Sequence, residues 1–424
     1  MSGTVIGQAI PFLATFILAR IFTPDEFGVF AVYFSLVNII GTISTGRYEM
    51  AILLPKSTTN AFDLVKLSLL SSLIISLILY LVINLFYDYL VEFSTSEELM
   101  KYIYLLPISV FGFGAYKTLG VWFTRKKQYK KISLSIIVKS IVGVIFNIGI
   151  GYYYGIIGLF LGNVFGALVA VLVLNPINKE NYKFDRNNLL KLIKRYKKFP
   201  LFDIPASFIY TISKNGIVLI INKGYSPFIT GFYSLTERIM IAPSQVFVGS
   251  YTQVYNQKVT EDFNLGKEIS TFVSSNVKRV AKVLVLPFII GSYLSFYYVP
   301  IIFGENWIDL YKYIYVLAPL LFFTMILNPL SYIFKIKDKQ DISFIQHLIL
   351  TVAKLGSLYV CVFILEYPIL LSLVIYAVLS IAVLSFNAHI VYKILNMKFR
   401  DSSLTYLMSI ICIIITIVNY ILVR

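Results

Sequence analysis

Nine charged residues fall within or at the ends of long apolar runs: Arg20, Lys117, Lys139, Lys214, Arg238, Lys312, Lys354, Asp203 and Glu237. A charge at the centre of a membrane helix costs about 2.5–3.5 kcal/mol on the insertion scale, so such residues turn toward a bundle interior or a water-filled cavity. An excess of cations over acids in that setting is chemistry for holding an anion. Position sorts the nine. Lys312 lies at the end of a run and reads as a snorkelling side chain, as does Lys117, about a turn and a half from an end. Lys139, Lys214 and Lys354 lie deeper, and Arg238 is near mid-run. Arg20 and Arg47 flank the second apolar run. Arg20, Arg47, Lys139, Lys214, Arg238 and Lys354 are therefore the candidate anion-binding residues. Glu237 and Arg238 point about 100° apart on a helix and do not pair with each other; Asp203 is a candidate partner for Arg238.

Other chemistries have no residues to carry them. Cys361 and Cys412 are the two cysteines, both in apolar runs, which argues against a disulfide framework and thiolate metal sites. His347 and His389 are isolated and read as structural. There is no Gly-rich phosphate loop with a Lys, no His-Glu-x-x-His and no Gly-x-Ser-x-Gly elbow, so neither an ATPase site nor a hydrolase is indicated. No cofactor or metal is implied, and the chain reads as a non-enzyme. Tyrosines such as Tyr152–Tyr154 and Tyr297-Tyr298 cluster near run ends, as an aromatic belt does.

The elements that must position these charges are membrane helices. Of 424 residues, 58% are hydrophobic and only 14% charged, and the apolar residues fall in runs of about twenty, the length that spans a bilayer. The predicted fold class is an all-α polytopic membrane protein with thirteen spans, at 4–22, 27–45, 65–86, 103–123, 132–153, 155–174, 202–222, 228–253, 280–303, 311–334, 342–365, 369–391 and 404–423. No basic segment precedes the first run, which is expected to serve as its own insertion signal. The connections after even-numbered spans hold 27 Lys and Arg; the opposite side holds Lys101, Lys223 and Arg424. The positive-inside rule then places the N-terminus in the cytoplasm. The same spread over six loops argues against nucleic acid as the partner of a chain with net charge +16. The expected division is an N-lobe of six helices at 1–177, a cytoplasmic or interfacial linker at 178–200, a C-lobe of six at 201–395 and an extra helix at 396–424. Leu189, Leu190, Leu192 and Ile193 among the linker lysines predict an amphipathic helix at the membrane interface.

A short pattern occurs twice. Thr23-Pro24-Asp25-Glu26-Phe27-Gly28 breaks the chain between the first two spans, because the residue before a proline is pushed out of the helical region. Ser226-Pro227-Phe228-Ile229-Thr230-Gly231 repeats it 203 positions later, with Arg20 falling on Lys223. Six spans separate the copies, so both share one orientation, as in two parallel pseudo-twofold lobes.

Ser2-Gly3-Thr4 with Gln8, Leu18 to Gly28 around Arg20 and Pro24, and Gly46-Arg47-Tyr48-Glu49-Met50-Ala51-Ile52-Leu53-Leu54-Pro55 resemble the Wzx-type polysaccharide flippases. These belong to the multidrug/oligosaccharidyl-lipid/polysaccharide exporter superfamily. The resemblance is specific over about the first 55 residues, looser around Gly231 to Arg238 and weak after Ile342. It implies several further residues ahead of Ser2, and a thirteenth span departs from the family's twelve-helix plan. It also implies translocation of undecaprenyl-diphosphate-linked oligosaccharides across the bacterial inner membrane by alternating access, for O-antigen, capsule or exopolysaccharide synthesis. Proton or sodium coupling through Glu49, Asp203 or Glu237, and a polysaccharide polymerase and chain-length regulator as partners, follow from the same resemblance. A drug–cation antiporter is the main alternative and would be expected to carry acids in its cavity. A membrane polymerase would need a sizeable outer loop, and the longest, at 87–102, is short.

Overall fold

Apolar runs separated by proline, glycine and charged corners fold as helices throughout the described residues. The computed structural model describes residues 2–94, 96–175 and 186–424, and no strand occurs among them. The helices are α1 (Ser2–Ile21), α2 (Pro24–Ser44), α3 (Thr58–Leu85), α4 (Tyr87–Phe93), α5 (Glu97–Lys101), α6 (Leu105–Arg125), α7 (Tyr129–Tyr154), α8 (Ile157–Val173) and α9 (Arg186–Arg195). They continue as α10 (Ile204–Gly224), α11 (Pro227–Asn264), α12 (Ser270–Tyr293), α13 (Ser295–Phe303), α14 (Leu310–Leu327), α15 (Tyr332–Ile336), α16 (Gln340–Tyr359), α17 (Ile369–Ile394) and α18 (Phe399–Val423). Each of the thirteen predicted spans falls on a helix or a broken pair. Among the described residues, eight helical segments are long and apolar enough to cross a membrane, or nine if α12 and α13, bent by 67°, count as one. The apolar parts of α1 and α8 are shorter, and α6 and α11 carry more polar residues. The chain is a multi-pass membrane protein.

By internal contacts the chain divides into Met1–Gly231 and Phe232–Arg424. The first unit takes in α9, α10 and the first turn of α11, which the sequence division assigns to the linker and second lobe. Positions 178–185 of that linker lie outside the described residues.

In the first unit the proline corners are capped. The Thr23 hydroxyl accepts from the Glu26 N–H at 3.3 Å, and the Glu26 carboxylate accepts from the Thr23 N–H at 2.8 Å. This reciprocal cap satisfies donors that a helix start leaves open. At the second corner the Ile229 N–H donates to Ser226 Oγ at 3.3 Å. The two corners lie against each other: a side chain on Gly28 would run into the carbonyl of Pro227, and one on Gly231 into the carbonyl of Pro24. Only glycine permits so close an approach. Elsewhere α7 and α8 meet along small residues, with Gly158 on Gly151. Tyr33 on α2 shares a hydrogen bond of 2.6 Å with Ser109 on α6, and α10 is tied to α2 by Asn38 Nδ2 donating to Asn215 Oδ1 at 3.3 Å.

In the second unit α14 is deeply enclosed, burying Tyr313, Leu317, Phe323 and Ile326 among others. Trp307 is fully buried edge-on to Phe232, which also stacks on Tyr313. The thirteenth span, α18, is built into this unit rather than appended to it. Asn419 Nδ2 donates to the Tyr315 carbonyl at 2.7 Å and Asn419 Oδ1 accepts from Tyr293 at 2.8 Å, while Tyr392 and Thr405 share a bond of 2.6 Å.

Candidate functional site

The site begins at the end of α2. Gly46 and Arg47 both take left-handed backbone conformations, at φ 62° and 59°. Glycine does this freely; for arginine it costs of order 1 kcal/mol. The chain then turns tightly through Tyr48–Leu53, a 3₁₀ turn that places Glu49 fully inside the protein. Glu49 accepts from Thr45 Oγ1 at 2.5 Å, Arg47 Nη1 at 3.2 Å and Lys117 Nζ at 3.0 Å. A buried carboxylate is tolerated only with such partners. Arg47 also donates through Nε to Asp203 Oδ2 at 2.7 Å. Asp203 stands in the π turn Phe199–Asp203 that leads into α10.

Above these four charges lies a cavity of about 390 Å³, lined by Thr42, Arg47, Lys117, Ala206, Ser207, Tyr210 and Thr211. Two cations, three hydroxyl-bearing residues and one phenol give it a surface that donates to oxyanions and presents one aromatic face to a sugar ring.

The floor beneath the turn is apolar and rigid. Tyr48, Ala51 and Ile52 pack with Leu64, Trp122, Leu189 and Leu192. The guanidinium of Arg125, at the end of α6, clamps the turn by donating to the carbonyls of Ile52 at 3.0 Å, Leu53 at 3.1 Å and Pro55 at 2.5 Å. Arg125 is thus a structural clamp as well as one of the cations in the 27-to-3 asymmetry. The apolar face of α9 is buried against protein: Leu189 and Leu192 are 6% and 3% exposed, and Asn188 Nδ2 donates to Asp63 at 2.6 Å and Asn60 at 3.0 Å. Leu190 remains half exposed.

Arg47, Glu49 and Asp203, named from sequence, come together here. Lys139 on α7 sits over the Tyr116 ring at 4.6 Å, and Lys214 over Tyr210 at 5.0 Å, so Lys214 reaches the cavity's edge through an aromatic residue that lines it. Arg20 is exposed in the last turn of α1, and Lys223 occupies the matching place on α10. Arg238 and Glu237 on α11 and Lys354 on α16 belong to the second unit, where Arg238 and Lys354 are half-buried.

Sequence reasoning missed Lys117 as a site residue, because its distance from a helix end suited snorkelling. It also missed Ser207, Tyr210 and Thr211. With Lys214 these form an i, i+3, i+4, i+7 polar stripe on one face of α10, the signal that was there to be read.

The fold has solved counterparts. The lipid II flippase MurJ in an inward closed conformation is similar with a TM-score of 0.76 and 13% identity, covering 99% of this chain and 96% of that one. A multidrug resistance MATE family transporter of the MOP superfamily, inward-facing, gives a TM-score of 0.67 at 13% identity over 98% and 94%. A MOP superfamily transporter from Pyrococcus furiosus, whose binding pocket is described as reversed in polarity, gives 0.60 at 12% over 93% and 94%. At these identities the likeness is one of fold. None of the curated proteins matches the chain in sequence. Residues 17–312 match the family described as polysaccharide biosynthesis protein, a stretch holding both proline corners and the whole of the cavity, and the chain belongs to that family.

Proposed function

We propose that this protein is a flippase of the MOP superfamily that carries polyprenyl-diphosphate-linked oligosaccharides across the bacterial cytoplasmic membrane for surface polysaccharide synthesis. The observation that carries the reading is the cavity of about 390 Å³ with Arg47 and Lys117 in its wall, in a chain of a polysaccharide biosynthesis family. Two fixed cations suit a diphosphate, and two unit charges at about 4 Å attract by roughly 4 kcal/mol at an effective dielectric of 20. The hydroxyls of Thr42, Ser207 and Thr211 and the Tyr210 ring suit the first sugar. With the N-terminus in the cytoplasm, as the positive-inside rule has it, Arg47 follows two spans and the cavity lies toward the cytoplasmic side, where the substrate is made. Arg20, Lys139 and Lys214 in the same unit, and Arg238 and Lys354 in the second, are further cations suited to an anionic substrate, and Glu49, Asp203 and Glu237 are the acids available for proton or sodium coupling. A drug–cation antiporter fits less well, since cations rather than acids line the cavity.

The test is complementation of a strain lacking its own flippase. Arg47→Gln and Lys117→Gln should lower polysaccharide export per molecule of protein in the membrane and leave lipid-linked units on the inner leaflet, with export normalised to membrane abundance. Wild-type export by both variants would overturn the assignment.

A further inference from the structure

Four charges meet beside the cavity and cancel: Arg47 and Lys117 against Glu49 and Asp203. The two acids are not equivalent. Glu49 is fully buried and takes three donors, so it cannot withdraw without stranding them. Asp203 has a side chain 38% exposed and is bound to Arg47 through Nε at 2.7 Å. It also sits on the short π turn at the head of α10, the helix that supplies Ala206, Ser207, Tyr210 and Thr211 to the cavity wall. A phosphate group entering the cavity competes with a carboxylate for the same guanidinium, and a phosphate offers more oxygens and more charge.

We propose that Asp203 is an internal stand-in for the ligand's phosphate, holding Arg47 while the cavity is empty and giving way when an anion enters, so that occupancy releases the first turn of α10 from the Arg47 turn. The inference rests on the anion-carrier reading and adds to it the element through which binding is felt. It requires a ligand that carries a phosphate close to the membrane surface, and it makes α10 the helix that responds.

The experiment uses the full-length protein in detergent, with inorganic pyrophosphate and farnesyl diphosphate as probes in titration calorimetry. Asp203→Asn should bind both probes about three- to ten-fold more tightly than wild type, because a competing anion is gone. Asp203→Glu should stay near wild type, and Arg47→Gln should lose binding. In hydrogen exchange, amides 204–211 of the wild-type protein should exchange faster with pyrophosphate than without it. If Asp203→Asn binds no more tightly than wild type while Arg47→Gln still loses binding, the stand-in role is wrong and the anion carrier survives. If neither wild type nor Asp203→Asn binds either probe, both fall. Exchange at 204–211 that is unchanged or slowed by pyrophosphate overturns the coupling, even if Asp203→Asn does not fold.

Discussion

Gly28 and Gly231 are reciprocal: the Pro227 carbonyl fills the space that a side chain on Gly28 would take, and the Pro24 carbonyl does the same for Gly231. In both cases the obstacle is backbone, which cannot rotate aside. Gly28→Ala and Gly231→Ala should therefore each destabilise the protein by about 1–3 kcal/mol, the usual range for overpacking. The effects should be similar in size. Thermal unfolding of the purified variants checks this, and a Gly28→Ala protein as stable as wild type would show that the two corners do not meet this closely.

Lys117 and Glu49 separate structure from transport. Lys117→Gln leaves a fully buried carboxylate with one cation fewer and should cost about 1–3 kcal/mol of stability. Adding Glu49→Gln should recover much of that loss, since a neutral amide needs no counter-charge. Export should stay low in the double variant, because the cavity still lacks its lysine. Recovery of export along with stability would make Lys117 a purely structural partner.

The docking of α9 predicts a proteolytic phenotype. Leu192 is buried in the cluster with Trp122 and Leu64, and replacing it with Ala should cost about 2–4 kcal/mol of local stability. Lys191, Lys194 and Arg195 lie exposed on the same helix as trypsin sites. Leu192→Ala should be cut there faster than wild type in membrane vesicles. Equal cutting rates would mean that the helix does not depend on that contact.

Sidedness can be read with single cysteines. Both native cysteines, Cys361 and Cys412, are buried, so the background for an impermeant thiol reagent is low. Glu92→Cys should label from outside intact cells and Lys127→Cys only after the membrane is opened. Labelling at position 127 from outside would invert the topology.

Much of the fold was legible because proline and apolar length leave marks in a sequence. Pro24 and Pro227 announce their corners, and thirteen apolar runs became helices or broken pairs. The apolar stripe on α9 was legible too, but Leu189 and Leu192 look the same whether they face lipid or protein; only the tertiary structure shows them packed beside Trp122. The site was half legible. Arg47, Glu49 and Asp203 could each be singled out as charges, yet nothing local says that residues 156 positions apart are partners. Lys117 was misjudged because distance from a helix end measures access to water, whereas the deciding fact is the buried acid waiting on another chain segment.

The Arg125 clamp has a consequence for biosynthesis. Its guanidinium closes the turn around Ile52, Leu53 and Pro55, but it is translated 70 positions after Pro55. At about 5–20 residues per second the ribosome needs about 4–14 s to reach it. For that interval the nascent turn carries three carbonyls without their guanidinium partner and Glu49 without Lys117, which belongs to the same late helix. The turn must wait at the membrane surface, open to water, at least until the fourth apolar run arrives. A chain stalled before residue 117 should therefore leave this turn more accessible to protease than one stalled after the fourth run has left the ribosome.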